Sequence, residues 1–255
     1  LEEGGPRVVL GWSPGDVATP LSPAAASLFG PRGVCLHPDG TLWVADTGHH
    51  RLLGWRKIPQ SDNEPADILI GQPSFCREGR NAKGPPGPAT LNVPTGLADA
   101  WNHRVLIWRE VPTGNGQPAD LVLGQEDSES VLANRGADRP TSASLHWPYG
   151  VAEVAGRLVV CDSGNRRLLV WSDPSETGQP ADLVLGQHDF STRDENAGGE
   201  VTAMSMRWPH GACWWNGHLA LADSGNNRVM LWRGFPEHNG SPCDAILGQR
   251  DAAHC

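Results

Sequence analysis

The sequence predicts an all-β fold of repeated four-stranded units, on three observations: a fourfold internal repeat, short apolar runs of strand composition, and abundant turn residues. The 255 residues include 31 Gly and 22 Pro, about a fifth of the chain, while charged residues make up 19%. That composition describes a turn-rich globular chain able to bury a large core.

The repeat shows in its punctuation. Each copy opens with Pro-x-Gly and a small apolar pair: Pro31-Arg32-Gly33-Val34-Cys35, Pro94-Thr95-Gly96-Leu97-Ala98, Pro148-Tyr149-Gly150-Val151-Ala152 and Pro209-His210-Gly211-Ala212-Cys213. A second motif pairs an Asp with an Arg five positions on: Asp46 and Arg51, Asp99 and Arg104, Asp162 and Arg167, Asp223 and Arg228. An apolar run then ends in Trp55, Trp108, Trp171 or Trp232, and each copy closes on a segment that finishes at Gln72, Gln125, Gln187 or Gln249. The last two intervals between these glutamines are both 62 residues. Runs such as Leu42-Trp43-Val44-Ala45, Arg157-Leu158-Val159-Val160, Val105-Leu106-Ile107-Trp108 and Leu183-Val184-Leu185 are aliphatic, β-branched or aromatic and are bounded by Gly, Asp, Asn and Pro, so they read as strands.

Four strands joined by tight turns make one blade of a β-propeller, which buries both its faces only by stacking on neighbours. The spacing places an outer strand at 7–12, blade 1 at about 28–75, blade 2 at about 91–127, blade 3 at about 145–190 and blade 4 at about 206–251, all in a single domain. An Asp and an Arg across a turn in every copy read as a structural ion pair with turn hydrogen bonds, not as a ring of functional charges. The blade-end tryptophans read as packing between blades.

Asn102-His103-Arg104-Val105 and Asn226-Asn227-Arg228-Val229 stand where a strand-turn-strand segment carries Asn-His-Leu in NHL repeats, and with the fourfold repeat the chain resembles an NHL-repeat β-propeller. It looks most like bacterial NHL proteins whose blades end in an Ala-Asp-Leu-Val-Leu-Gly-Gln-like strand. The resemblance implies six blades in the complete protein, with a closed ring of four or five as the alternative, and hence further blades after Cys255. A second irregularity lies in blade 2. Pro31 to Asp46 is 15 residues and Pro148 to Asp162 and Pro209 to Asp223 are 14, but Pro94 to Asp99 is 5. A deletion of about nine residues would remove the second strand and leave unpaired backbone, so a break with missing residues is expected near Ala98-Asp99.

No segment has the 18 or more apolar residues of a membrane span, and the first residues lack a basic then apolar leader pattern, so no membrane insertion is expected. The formal charge of -9 opposes polyanions, which disfavours nucleic acid as a partner. Six cysteines stand without any CxxC spacing, which favours a reducing, cytoplasmic setting over a disulfide framework.

The residue after each opening Pro, namely Arg32, Thr95, Tyr149 and His210, is the candidate lining of a central channel. Peptidylglycine amidating lyase is an NHL-type propeller that holds zinc with inner-strand histidines, and Pro209-His210-Gly211 looks like one such element. Catalytic zinc needs about three protein ligands and an open position. His210 alone, even with Tyr149, Cys35 and Cys213, falls short of that set, and a lone channel histidine is more often an ordinary hydrogen-bonded side chain. No cofactor is expected, a channel zinc or calcium ion being the alternative. His49 and His50 read as solvent-facing turn residues. Trp101, Trp214 and Trp215 fit either a partner surface or packing. Some eukaryotic NHL domains bind single-stranded RNA on a basic face, but here Lys and Arg number 20 against 29 acids. The function expected is a non-catalytic scaffold or accessory subunit that docks a protein partner, within a redox or metalloenzyme assembly. A metal-dependent lyase or hydrolase with its site in the channel is the alternative, and RNA binding comes third.

Overall fold

The structure is a computed structural model that describes residues 7–11 and 22–254. The expected outer strand at 7–12 thus falls partly outside the described residues, at Trp12. Repeat 1 holds β1 (Gly33–Leu36), β2 (Leu42–Asp46), β3 (Arg51–Trp55) and β4 (Ile68–Ile70). Repeat 2 holds β5 (Pro94–Thr95), β6 (Ala98–Asp99), β7 (Val105–Ile107) and β8 (Leu121–Leu123). Repeat 3 holds β9 (Pro148–Val154), β10 (Arg157–Asp162), β11 (Arg167–Trp171) and β12 (Leu183–Leu185). Repeat 4 holds β13 (Pro209–Trp215), β14 (His218–Asp223), β15 (Arg228–Arg233) and β16 (Ala245–Leu247).

Repeats 1, 3 and 4 are each one four-stranded antiparallel sheet with strands in chain order, the blade pattern of a propeller-type, all-β fold. The only helical turns among the described residues are short 3₁₀ pieces. Four of them stand between the second and third strands, and each ends on a left-handed residue: His50, His103, Arg166 or Asn227.

The chain divides into two compact units, residues 1–97 with 108–120 and residues 98–107 with 121–255. In the first, residues 7–11 make the contacts of a blade-closing strand. Gly11 bridges Ser27 in parallel, as Gly71 bridges Thr90. Asn63 N–H donates to Val9 O at 2.9 Å, and Gly116 N–H to Leu69 O at 2.8 Å. Val44, Leu53, Trp55 and Leu69 form the core there, with Leu10, Leu28 and Phe75 against it.

In the second unit the alternation of β10 and β11 serves two cores. Val160, Leu169 and Trp171 pack with Ala98, Val105 and Leu123 of repeat 2. Val159, Cys161, Leu168 and Val170 point the other way, into a core with Leu219, Leu221, Met230 and Trp232 of repeat 4. A period of two residues with apolar side chains on both faces is what a stacked blade requires. Strands β9 and β13 approach so closely that a Cβ added at Gly150 would lie 2.4 Å from His210 O, which only glycine permits.

Repeat 2 is abbreviated. Strands β5 and β6 are two residues each, where β9 and β13 have seven and β10 and β14 have six. Asp99 still bridges Arg104 and its 3₁₀ turn is intact.

Candidate functional site

The repeated Asp and Arg meet in every copy. Arg Nε donates to the Asp carboxylate at 2.7 Å in repeats 1, 2 and 3 and at 2.9 Å in repeat 4, with both side chains fully buried. Each guanidinium also donates to backbone carbonyls. In repeat 3, Arg167 also donates to Phe190 O, Thr141 O and Ser144 O, and in repeat 4, Arg228 donates to Ala252 O, Thr202 O and Ser205 O. The second carboxylate oxygen accepts the N–H of the residue before the Trp-Pro step, His146 at 2.7 Å on Asp162 and Arg207 at 2.9 Å on Asp223. These eight residues hold the turn and the approach to their own repeat's first strand, and they offer no free charge to a ligand.

An Asn completes each network, with Asn102, Asn165 and Asn226 donating to the Asp at 2.8, 2.7 and 2.7 Å. His49 takes this place in repeat 1, its Nδ1 standing 2.8 Å from Asp46. It is fully buried, so the expectation of a solvent-facing turn residue is corrected for His49: the ring replaces the amide as donor to the carboxylate.

His50 and His103 occupy the left-handed turn position, and each accepts at Nδ1 a backbone N–H from the next repeat, Val93 at 3.0 Å and Trp147 at 3.1 Å. An acceptor at Nδ1 places the neutral ring's proton on Nε2. Burial, with Arg80 adding to it, lowers the pKa of His50. Burial, with His146 adding to it, brings His103 down to about 4. Burial likewise lowers His146 and His210.

Around these anchors the second unit carries a series of rings. His103 and His146 meet edge to face at 5.2 Å between centroids, and His146 lies 4.5 Å from Trp147. One residue beyond Pro148, Tyr149 lies 5.1 Å from His210, which is 6.4 Å from Trp208. His210 is exposed and the Tyr149, Trp147 and Trp208 rings are partly so. Two of the four residues expected at the ends of the first strands, Tyr149 and His210, are therefore in contact. The other two lie in the first unit, where Gly96 N–H donates to Arg32 O at 3.1 Å beside Thr95. Trp101, Trp214 and Trp215 are 43%, 40% and 60% exposed, and the Trp215 ring lies 6.1 Å from that of His218.

Sequence reasoning missed Trp147, Trp208, His103 and His146, whose common signal is their place just before an opening Pro or at the end of the turn. Among the described residues no three His, Cys, Asp or Glu side chains come together as a metal-binding group, and the neighbours of His210 are rings, so the donor set for zinc is not assembled there. A cavity of about 270 Å³ lies apart from the rings, lined by Gln125, Glu126, Glu129, Ser130, Val131, Leu132 and Arg135. Arg135 is already engaged there with Gln125 O and Gly178 O, both at 3.1 Å.

The family model of the NHL repeat matches residues 30–55, which span β1, β2, the first 3₁₀ turn and β3. The chain carries an NHL repeat. The buried Asp46–Arg51 pair of that NHL repeat recurs at three further places in the same geometry. No curated protein matches the chain. Among solved structures, one described as a streptogramin B lyase structure is similar at 13% identity, covering 82% of this chain and 52% of its own, with a TM-score of 0.36. The chain thus spans about half the length of that structure. No helix among the described residues is long and apolar enough to cross a membrane.

Proposed function

We propose that this NHL-repeat chain is a non-catalytic scaffold or accessory subunit that docks a protein partner through the ring-bearing ends of its first strands. One contrast carries the reading. The polar residues common to all repeats are buried and hydrogen-bonded to one another, whereas the positions that differ between repeats present Trp147, Tyr149, Trp208 and His210 partly or fully to solvent. Aromatic side chains on a rigid frame supply large contact area at small entropic cost, which is what interface anchors do. Membership of a larger redox or metalloenzyme assembly and a cytoplasmic setting belong to the same proposal.

The test is reciprocal capture with the full chain, comparing the wild type with a Trp147→Ala/Trp208→Ala double variant whose thermal unfolding is unchanged. A defined protein that binds the wild type at fixed stoichiometry, captures it in return and loses the double variant is the expected result. Equal binding by both forms, or turnover of a small substrate that requires His210, would overturn it.

A further inference from the structure

We propose that the open edge of β7 takes up an extended apolar strand of a partner protein, added antiparallel so that it completes the sheet of repeat 2. This contact is additional to the ring-bearing ends of the first strands. In repeats 1, 3 and 4 the third strand is paired on both sides, but repeat 2 forms two separate pairs, β5 with β6 and β7 with β8. Strand β7 is paired with β8 along its whole length, Val105 opposite Leu123, Leu106 opposite Val122 and Ile107 opposite Leu121. On its other side the only second-strand contact among the described residues is the Asp99–Arg104 bridge.

Backbone direction fixes what this edge presents. Asp99 and Arg104 exchange both N–H···O bonds, at 3.1 and 3.4 Å, and groups pointing to one side recur every second residue, so Leu106 turns its N–H and C=O the same way. The opposite side agrees. Val122, facing Leu106, donates its N–H to Thr177 Oγ1 at 3.2 Å and accepts from Gly178 N–H at 2.8 Å, both away from β7. In repeat 3 the residue matching Leu106 is Leu169, which faces Val160 of β10. Leu106 meets no such strand among the described residues, although its side chain is buried. Exposure follows the same line: Ile107 and Trp108 are half-buried where Val170 and Trp171 are buried. A backbone donor and acceptor on a strand with no charge or proline to guard it form a template for a further strand.

The kind of occupant follows from what fills this place elsewhere. Residues 42–45, 158–161 and 219–222 are all apolar and uncharged, so a strand of that composition continues the packing on both faces while its backbone pairs with β7. A second copy cannot supply it through its own β7, because Asp99 of each copy stands on that edge opposite Arg104 and would come between the two strands. A separate strand that ends where Ala98 begins meets no such obstacle.

The experiment titrates the full chain with a capped peptide of residues 155–160, Ala-Gly-Arg-Leu-Val-Val, which ends on the residue that faces Leu169 in repeat 3. Two further peptides carry one N-methyl group each, on the last valine, whose N–H would meet Leu106, or on the valine before it, whose N–H points to the opposite edge. Calorimetry should show saturable binding of the parent peptide, weakened about tenfold or more by N-methylation of the last valine and little changed by N-methylation of the one before. Hydrogen exchange of the Leu106 N–H should slow in the complex. A chain with residues 153–161 inserted between Ala98 and Asp99, which fills the edge covalently, should bind none of the three, a melting curve checking that it is folded. Absence of binding, equal weakening by the two N-methyl groups, or binding by the folded insertion chain would overturn the proposal. So would a dimer in which the Leu106 N–H is protected without peptide, which would give the edge to a second copy.

Discussion

Arg167 donates through Nε to Asp162 at 2.7 Å with neither side chain open to solvent, and the same guanidinium closes three backbone carbonyls. A buried ion pair is worth little against an apolar replacement of both partners, but removing one leaves an uncompensated charge. Arg167→Met should therefore destabilise the chain by about 3–5 kcal/mol. Chemical denaturation measures it, and a loss below 1 kcal/mol would show that the pair is solvated in solution. Arg167→Lys should recover only part of the loss, because an ammonium cannot reproduce the planar fork.

His103 makes stability depend on pH. Its folded pKa of about 4 lies below the ordinary value of 6.5, so the unfolded chain binds the proton more readily between those values. The contribution is complete above the unfolded pKa and is lost as pH falls from about 6.5 towards 4. Allowing for the part of the ring open to water, it amounts to on the order of 1–2 kcal/mol. The equivalent turn position in repeat 4 is Asn227, with φ 53° against 53° at His103. A His103→Asn variant should keep the turn and flatten the melting temperature between pH 4 and 6.5; an unchanged slope would assign the pH dependence to other groups.

Repeat 2 invites a graft. We propose that its short first two strands reflect an absent hairpin, since inserting Glu153 to Cys161 of repeat 3 between Ala98 and Asp99 restores the 14-residue spacing from Pro to Asp. The grafted chain should melt several degrees higher, roughly 2–4 °C for each kcal/mol gained. A lower melting temperature would mean that the abbreviated repeat is complete as it stands.

Thiol chemistry checks the placement of the cysteines. Cys35, Cys76 and Cys213 are exposed, while Cys161 is fully buried and burial raises its pKa. In the folded chain near pH 8, a thiol reagent should label the three exposed residues quickly and Cys161 only on unfolding. Rapid labelling of Cys161, located by peptide mapping, would contradict the core between repeats 3 and 4.

Much of this was legible in the residues. The blade pattern follows from periodicity, because a strand buried on both faces writes a dense apolar run and a turn between strands writes Gly, Asp and Asn at fixed offsets. The Asp–Arg pairs could be read for the same reason: both partners sit in one turn. What escaped depends on contacts between repeats, which no local pattern encodes. His103 is a turn residue until Trp147 N–H is seen to bond its ring, and Trp147 is a loop residue until His146 lies beside it. Gln72, Gln125 and Gln187 were visible only as strand ends, yet each side-chain amide donates to a loop carbonyl, Gly79 at 2.8 Å, Leu132 at 2.9 Å and Asp194 at 2.8 Å. His49 could have been found by alignment alone, since it stands opposite Asn102, Asn165 and Asn226.

The hydroxyls that follow two of the aspartates carry a mechanical consequence. Thr47 Oγ1 donates to Pro94 O at 2.6 Å within the first unit, and Ser163 Oγ donates to Pro209 O within the second, so each turn grips the first strand of the following repeat. Ties that reach only the next repeat in line give way one at a time. Under a pulling force the chain would then lengthen in a staircase, most treads releasing a repeat of about 62 residues, or roughly 200 Å of extended polypeptide, and the abbreviated repeat 2 a shorter one.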